Sequence, residues 1–293
     1  MKKISILNIS EFESMEGSVD FYCNTFSNHL ETHHKSILIP HKHDFFLTVL
    51  FTQGTGIHEI DFERYPIEAG SVFMMNPGQT HYWELSDDVE GIIFFHTQEF
   101  FDISFTNQSI FDFPFFYSLL NPSVLFLSGT ECGKLSHFFE ELLSEYTSPQ
   151  LFTRQKVSSL LSYIYIELSR KFFSVQENGI QKSSTYSRHL RNLEILIEQN
   201  YKEEKSPAAY AEMLNITKRH LNRLAQESLG KTVTELITER VLLEAKRMLV
   251  STSSSFSEIS YDLGYGDYAY FSRVFKKWTG VTPSEFSKQY RVQ

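Results

Sequence analysis

The chain has 293 residues, of which 41% are hydrophobic and 15% aromatic, so it is long enough for two domains and too apolar to be disordered. No apolar run approaches the roughly 20 residues of a membrane helix, and the stretch after Lys3 is too short for a signal-peptide core. The 2 cysteines form no CxxC pair, which argues against a disulfide framework or a zinc site. We therefore expect a cytoplasmic protein.

The charge is divided unevenly along the chain. Residues 1–185 contain 11 Lys+Arg and 23 Asp+Glu, or −12, whereas residues 186–293 contain 16 and 13, or +3, and together they give the formal net charge of −9. Only the last third is therefore suited to approach phosphates. Because its excess of positive charge is small, we expect modest non-specific affinity for DNA and a complex held partly by base contacts.

Residues 1–128 show the pattern of short strands. Apolar or alternating runs are separated by glycine and proline turns such as Gly54-Thr55-Gly56 and Asn76-Pro77-Gly78-Gln79. The predicted strands occupy 45–51, 57–62, 65–67, 70–75, 81–85 and 91–96. Close spacing of short strands predicts an antiparallel barrel or sandwich. The phenylalanine-rich segment 100–126 has two interpretations, namely an apolar segment packed on the end of the barrel or a lid over a ligand.

Residues 129–173 change to helical periodicity. Apolar side chains recur at spacings of three and four residues in two runs on either side of Ser148-Pro149. Two helices beside a barrel can be pure core or a dimerisation face. We favour dimerisation, because paired DNA half-sites require two copies of a reader.

The segment 174–187 lacks periodicity and is predicted to be a linker. It precedes an all-helical domain at 188–293 that contains an internal repeat with an offset of about 50 residues. The offset superposes Thr217 on Asp267 as helix caps, Gly230 on Gly280 as helix ends, and Arg223 on Arg273. Since caps, apolar face and arginine recur together, we interpret the segments as two copies of a helix-turn-helix unit.

The second helix of such a unit can enter the major groove, where arginine pairs with guanine and asparagine or glutamine with adenine. The predicted DNA-facing residues are Lys218, Arg219, Asn222, Arg223 and Gln226 in the first copy and Tyr268, Ala269, Ser272, Arg273 and Lys276 in the second. An ordinary solvated helix face is the alternative, which the duplication and the charge shift disfavour. The residues assigned to the core are Leu221, Leu224, Phe271, Val274, Phe275 and Trp278.

Residues 188–293 resemble the DNA-binding domain of AraC/XylS-type transcription regulators. The run I-S-Y-D-L-G-Y-G-D-Y-A-Y-F-S-R-V-F-K-K-W-T-G-V-T-P-S-E-F is similar to the signature of that family. The resemblance implies seven helices, two helix-turn-helix units and a dimer on direct or inverted half-sites. By position it selects Arg219, Asn222, Arg223, Tyr268, Ala269, Ser272 and Arg273 as contacts. The first copy departs from the pattern at Tyr210, where the family has a small or aliphatic residue.

Two histidine motifs in the strand region resemble those of a cupin barrel, which implies a small-molecule effector site. His41 and His43 precede one predicted strand, and His81 begins another. Three alternatives are open, namely an effector pocket in which the adjacent Tyr82 and Trp83 grip a sugar or another small polar molecule, a metal site, or histidines that serve turns and surface. The glutamate expected in the first motif falls near Leu47-Thr48, so the fourth metal ligand of a cupin enzyme is missing.

The α+β multidomain fold therefore predicts a sequence-specific DNA-binding regulator, not an enzyme, controlled by an effector in its barrel. The domains are 1–128 for effector binding, 129–173 for dimerisation, 174–187 as linker and 188–293 for DNA binding. Expected partners are promoter half-sites in double-stranded DNA, a sugar or another small polar metabolite, a second copy of the chain and RNA polymerase, with no membrane, cofactor or metal. The alternative is a metal-dependent cupin enzyme with an appended helical domain.

Overall fold

The computed structural model describes residues 6–12, 20–37, 39–105, 108–117, 122–176 and 184–291. Their contacts form two compact units, one within Ser5–Ile180 and the other within Gln181–Gln293. The first unit mixes strands and helices, and the second is helical throughout its described residues. Within the described ranges, no helix combines the length and the apolar character needed to cross a membrane.

The strands of the N-terminal unit form two antiparallel sheets and one short parallel pair. The strands are β1 (Ile6–Leu7), β2 (Phe21–Thr25), β3 (Lys42–His43), β4 (Phe46–Gln53), β5 (Gly56–Ile60), β6 (Glu63–Ile67), β7 (Ser71–Met75), β8 (His81–Leu85), β9 (Glu90–His96) and β10 (Val124–Phe126). Their orders are β10-β7-β4-β9-β2, β6-β5-β8 and β1-β3. The predicted antiparallel architecture is confirmed, and an isolated bridge between His41 and His81 connects β8 to the residue before β3.

Strand β4 is buried on both faces of the five-stranded sheet. Leu47 and Val49 lie in the core between the two antiparallel sheets, whereas Phe46 and Leu50 lie in a second core that includes the helices. Because neither face meets water, both sets of positions are apolar and the alternation of a half-exposed strand is absent. This explains why the run 45–51 is apolar at every position except Thr48.

The turn between β5 and β6 occupies two residues that the sequence analysis assigned to a strand. Asp61 and Phe62 have φ of 50° and 73°, as in a tight hairpin turn. The Asp61 carboxylate accepts hydrogen bonds from the Thr80 N–H at 3.1 Å and the Gln79 side-chain amide at 2.9 Å. An aspartate tolerates this backbone conformation and is held there by neighbours distant in sequence, so β5 ends at Ile60 and not at Phe62.

Five α-helices accompany the sheets within the described residues of this unit. They are α1 (Phe26–Ile37), α2 (Gln98–Ser104), α3 (Pro114–Tyr117), α4 (Gly129–Thr147) and α5 (Thr153–Gln176). The prediction that residues 1–128 form strands was wrong for α1, whose few apolar side chains give a weak periodic signal, and for the short helices α2 and α3. Its N-terminal residue Phe26 is fully buried and packs on Trp83 with 5.4 Å between ring centroids.

The inner faces of α4 and α5 pack on the five-stranded sheet together with the phenylalanine-rich segment. Phe100, Phe101 and Phe113 are buried in the same core as Leu142 and Leu161, as the packing interpretation of this segment expects. Part of segment 100–126 lies outside the described residues. The described phenylalanines are therefore structural, and the lid interpretation gains no support from them.

A buried polar network joins the sheet to α5. The Tyr165 hydroxyl lies 2.8 Å from Nε2 of His96 on β9 and 3.4 Å from Oγ1 of Thr48 on β4. Burial lowers the pKa of His96 to about 4, so the imidazole is neutral at pH 7. The network satisfies polar groups that no water reaches, and it ties the α5 register to the sheet.

The C-terminal unit contains the seven helices that the family resemblance implies for this domain. They are α6 (Ser184–Asn200), α7 (Pro207–Met213), α8 (Lys218–Leu229), α9 (Val233–Ser251), α10 (Phe256–Asp262), α11 (Tyr268–Thr279) and α12 (Pro283–Arg291). Helices α5 and α6 extend into the predicted linker 174–187 at both ends, which corrects its extent, and residues 177–183 lie outside the described ranges. The last turn of α5 adds nothing to its buried apolar stripe, because Phe173 and Val175 are exposed, and α6 begins with the largely polar run S-T-Y-S.

Helix α9 connects the two repeats and buries charged groups to do so. Arg240 is 8% exposed, forms an ion pair with Glu198 at 2.5 Å, and stacks on Tyr201 with 3.9 Å to the ring centroid. Burial is the largest single influence and opposes the charge, but the hydrogen bond to Glu198 and the attraction of Glu198 and Glu244 together outweigh it and raise the pKa of Arg240. The guanidinium therefore remains charged and fixes α6 against α9.

Candidate functional site

The first helix-turn-helix unit consists of α7, a short turn and α8. Ser206 accepts a hydrogen bond from the Ala208 N–H at the start of α7, and Thr217 accepts one from the His220 N–H at the start of α8. Asn215 occupies the turn with φ of 53°. Tyr210, the departure noted in the sequence, is fully buried and donates its hydroxyl hydrogen to the Glu204 carbonyl at 3.0 Å, so the domain accommodates it.

The second unit, made of α10 and α11, has a turn that is one residue longer. The C-cap residues that follow the first helices, Leu214 and Leu263, are 49 apart, whereas the N-caps Thr217 and Asp267 of the second helices are 50 apart. Gly264, with φ of 75°, therefore takes the place of Asn215. The Asp267 carboxylate accepts from the Ala269 and Tyr270 N–H groups at 3.0 and 3.1 Å, which confirms the predicted cap.

The ends of both reading helices match in detail. Gly230 and Gly280 adopt φ of 67° and 82°, as the sequence predicted for residues that end a helix. The following helices begin with reciprocal caps in which the side chain and N–H of Thr232 or Thr282 pair with the glutamate three residues later. Equivalent caps at equivalent positions give α8 and α11 the same length of 12 residues.

The predicted reading faces lie on the outside of α8 and α11. The residues that are exposed are Lys218, Arg219, Arg223, Gln226, Ala269, Arg273 and Lys276, and those that are partly buried are Asn222, Tyr268 and Ser272. Leu221, Leu224, Phe271 and Phe275 are buried, as predicted. Trp278 is 39% exposed and Val274 partly buried, so their assignment to the core was wrong; the last turn of α11 lies at the margin of the apolar core.

Two contacts on these faces were not foreseen. The Arg223 guanidinium lies 3.1 Å from Nδ1 of His220, which orients the arginine along the helix. The Tyr268 ring stacks on the Phe256 ring with 6.4 Å between their centroids. Tyr270, two residues further along α11, is 54% exposed. No sequence signal marks the His220 pairing beyond its spacing of three residues from Arg223.

The predicted effector residues meet between the two antiparallel sheets. His41, His43, His81 and Trp83 are each at most 2% exposed, so they are not at an open mouth. The His41 and His81 rings are 4.3 Å apart between centroids, and the His43 and His81 rings 4.9 Å. His58, which the sequence analysis missed, joins them with its Nε2 2.8 Å from Nδ1 of His81. His58 lies directly opposite Trp83 on β8, a pairing that the sequence does not mark.

The strand alternation separates two residues that the sequence analysis grouped together. Tyr82 and Trp83 are consecutive in β8, so their side chains lie on opposite faces. The Tyr82 hydroxyl donates to Glu59 at 2.9 Å, whereas Trp83 is buried beside the histidines. The expectation that both rings grip one ligand was therefore wrong.

Several polar atoms in this cluster have no hydrogen-bond partner among the residues that the structure describes. Nδ1 of His41 and of His43 contact the carbonyls of Ile39 and Phe45 at 2.9 and 3.0 Å, which places their ring hydrogens on Nδ1. The buried atoms of the cluster without a hydrogen bond are His43 Nε2, His58 Nδ1, His81 Nε2 and Trp83 Nε1. Unpaired polar groups in an apolar core are costly, so this set is a candidate ligand cradle.

The imidazoles of the cluster are neutral at pH 7. Burial lowers the pKa of His41 to about 4, and burial together with the neighbouring His41 lowers that of His43 to about 3. The same causes hold the pKa values of His58 and His81 well below 6.5. Within the described part of the chain, no group of three or more His, Cys, Asp or Glu side chains is placed to hold a metal ion.

Comparison with known proteins agrees with this two-part site. Residues 29–164 match the model of the AraC-like ligand binding domain, and residues 210–289 match the model of a helix-turn-helix domain. The HTH-type transcriptional activator RhaS of Pectobacterium carotovorum is 25% identical over 265 residues, which cover 85% of this chain and 87% of that protein. The lactose operon transcription activator of Staphylococcus xylosus is 22% identical over 249 residues, or 83% and 84%.

Two solved structures are also similar to the chain. The AraC-type DNA-binding domain from Chromobacterium violaceum is 26% identical with a TM-score of 0.34, and the match covers 37% of this chain and 96% of that one. ToxT of Vibrio cholerae, bound to an unsaturated fatty acid, is 17% identical with a TM-score of 0.43, and the match covers 94% and 97%.

An AraC-like ligand-binding domain and a duplicated helix-turn-helix together define a DNA-binding transcription regulator with a sensory domain. The chain belongs to the AraC family of such regulators.

Proposed function

We propose that α8 and α11 read successive major-groove segments of promoter DNA while the N-terminal unit binds a small effector. The observation that carries this proposal is the pair of equivalent 12-residue helices whose exposed faces hold Arg223 and Arg273 at matching positions. Two helices that share caps, length and register suit two similar groove contacts. We further propose that the protein acts in the cytoplasm, is not an enzyme, and activates transcription as its named relatives do.

Selection of bound sequences from a random duplex library should identify the residues that contact bases. Arg223→Ala or Arg273→Ala should each cost about 1–3 kcal/mol of binding and relax preference at one base position. Lys276→Ala, a proposed phosphate contact, should weaken binding to all sequences and reduce the salt dependence. Glu227→Ala, on the same helix as Arg223, is the matched control. Unchanged affinity and unchanged preference in both arginine variants would reject the contact assignment.

We propose that the protein binds DNA as a dimer, and that the two copies contact each other through the outer surface of α4 and α5. The inner faces of these helices are used by the core, whereas Ile166 and Phe173 on α5 are 39% and 48% exposed. A second copy that covers these side chains would remove apolar area from water. The same library selection should then return pairs of similar half-sites, and RNA polymerase is the proposed partner of the bound dimer.

The proposed effector is a small uncharged polar molecule, with sugars as the leading class. The unpaired atoms of His43, His58, His81 and Trp83 offer both donors and acceptors, and neutral imidazoles supply no charge to pair with an ionised ligand. A relative that activates a lactose operon supports carbohydrates as the first ligands to examine. Because the cluster is buried, ligand entry requires a local opening of the sheets.

A thermal-shift screen against sugars and small metabolites tests the effector proposal. A specific ligand at 100 times its Kd should stabilise the N-terminal unit by about 2.7 kcal/mol and raise its Tm. His43→Gln should reduce this shift because it replaces an unpaired imidazole nitrogen. Tyr82→Phe is the matched control, since its hydroxyl lies on the other face of β8. A screen in which the shift survives His43→Gln and His81→Gln together would place the ligand elsewhere.

A further inference from the structure

The side chain of Asn222, one of the predicted adenine readers, is engaged within the protein. Its Oδ1 accepts a hydrogen bond from the Val233 N–H at 3.1 Å, and its Nδ2 donates to the Lys218 carbonyl at 3.2 Å. The first bond runs from the middle of α8 to the first residue of α9. Asn222 therefore connects the reading helix to the helix that joins the two repeats.

The Val233 N–H needs this partner. The first amides of a helix have no acceptor in their own helix. The Thr232 side chain accepts from the Glu235 N–H, three residues further on, and Val233 is fully buried, so neither the cap nor water serves the Val233 amide. Without Asn222, a buried donor would be left unpaired, which costs free energy.

The second repeat lacks the same need and lacks the asparagine. At the offset of 50 residues, Val233 corresponds to Pro283 and Asn222 to Ser272. Proline has no N–H and suits the first turn of a helix, so no acceptor is required there. The two differences between the repeats therefore have one physical cause. The first repeat has a valine whose N–H needs an acceptor and an asparagine that supplies it, whereas the second repeat has neither.

We propose that Asn222 is a positioning residue that fixes α8 against α9, and that it does not read a base. This inference rests on the proposed function in one respect: α8 is taken to read DNA through its exposed residues other than Asn222. Those residues are Lys218, Arg219, Arg223 and Gln226, which are all exposed. Loss of Asn222 should then weaken binding to every sequence alike, through the orientation of α8.

Hydrogen exchange of the full chain tests the structural role without DNA. In Asn222→Ser, the exchange rates of protected amides in α8 and at the start of α9 should rise about 5- to 30-fold, the effect of one buried donor left unpaired. Asn222→Asp keeps an acceptor near a helix N-terminus and should exchange like the parent chain. In a Val233→Pro background, Asn222→Ser should change the rates less than about twofold, because no amide remains to be satisfied. A rise of the same size in both backgrounds would overturn the proposal.

Selection from a random duplex library supplies the second measurement. Asn222→Ser should lower affinity for all selected sequences by a similar factor and leave the preferred bases unchanged, and adding Val233→Pro should restore the affinity. Relaxed preference at one base position with unaltered exchange would identify Asn222 as a base reader and overturn the proposal. If the parent chain selects no sequence, the proposed DNA contacts fail, whereas the exchange pattern still decides the role of Asn222. Should Val233→Pro fail to fold, the comparison of Asn222→Ser with Asn222→Asp decides.

Discussion

Gly264→Ala is expected to destabilise the C-terminal unit by about 2–5 kcal/mol, from a left-handed alanine and a steric clash together. Gly264 adopts φ of 75° in the turn between α10 and α11. A Cβ at this position would overlap the Lys202 carbonyl oxygen, which is backbone and cannot rotate away. Because the turn aims α11, DNA binding should be lost together with stability.

Other glycines of the same unit separate the two contributions. Gly230 and Gly280 have φ of 67° and 82° but open space where a Cβ would lie, so alanine there should cost only about 1–2 kcal/mol. Gly266 is neither left-handed nor crowded, and its replacement should be nearly neutral. Urea unfolding followed by Trp278 fluorescence in a Trp83→Phe background measures all four variants. Equal losses for Gly264→Ala and Gly230→Ala would show that the contact with Lys202 is unimportant.

Mild acid should destabilise the N-terminal unit through its buried histidines. The pKa of His41 falls from 6.5 to about 4 and that of His43 to about 3, mainly because burial opposes the charged form. Between these values and 6.5 the unfolded chain binds more protons than the folded one. The free energy of unfolding therefore has its full value above pH 6.5. Below that pH it decreases by about 1.4 kcal/mol per pH unit for each such histidine. At pH 5 these two residues alone should cost about 4 kcal/mol.

Urea unfolding between pH 7.5 and 5, followed by Trp83 fluorescence in a Trp278→Phe background, measures this slope. His43→Gln should reduce the slope by one proton. The lower limit of pH 5 keeps the measurement above the range in which carboxylates such as Glu131, whose pKa its Lys171 and Ser128 contacts lower to about 2, begin to matter. A free energy of unfolding that stays constant from pH 7 to pH 5 would contradict the neutral, buried state of the cluster.

The duplicated DNA-binding unit could be recognised from local residue spacing. Caps such as Asp267, helix-ending glycines such as Gly280 and apolar stripes depend on residues three to five positions apart. Such local interactions are the same in any context that permits a helix, so the repeat, its reading faces and its charge could be predicted from spacing alone. The same reasoning applied to β4, β7 and β9, whose apolar character signals burial directly.

Which polar side chains are available to contact DNA or a ligand depends on contacts that form only in the folded chain. Asn222 and Lys218 look alike as polar residues on one helix face, but the amide of Val233 engages one and leaves the other exposed. His58 enters the histidine cluster because β5 pairs with β8, and Tyr82 leaves it because it lies on the opposite face. These outcomes depend on pairing between segments distant in the chain, and periodicity carries no information about such partners.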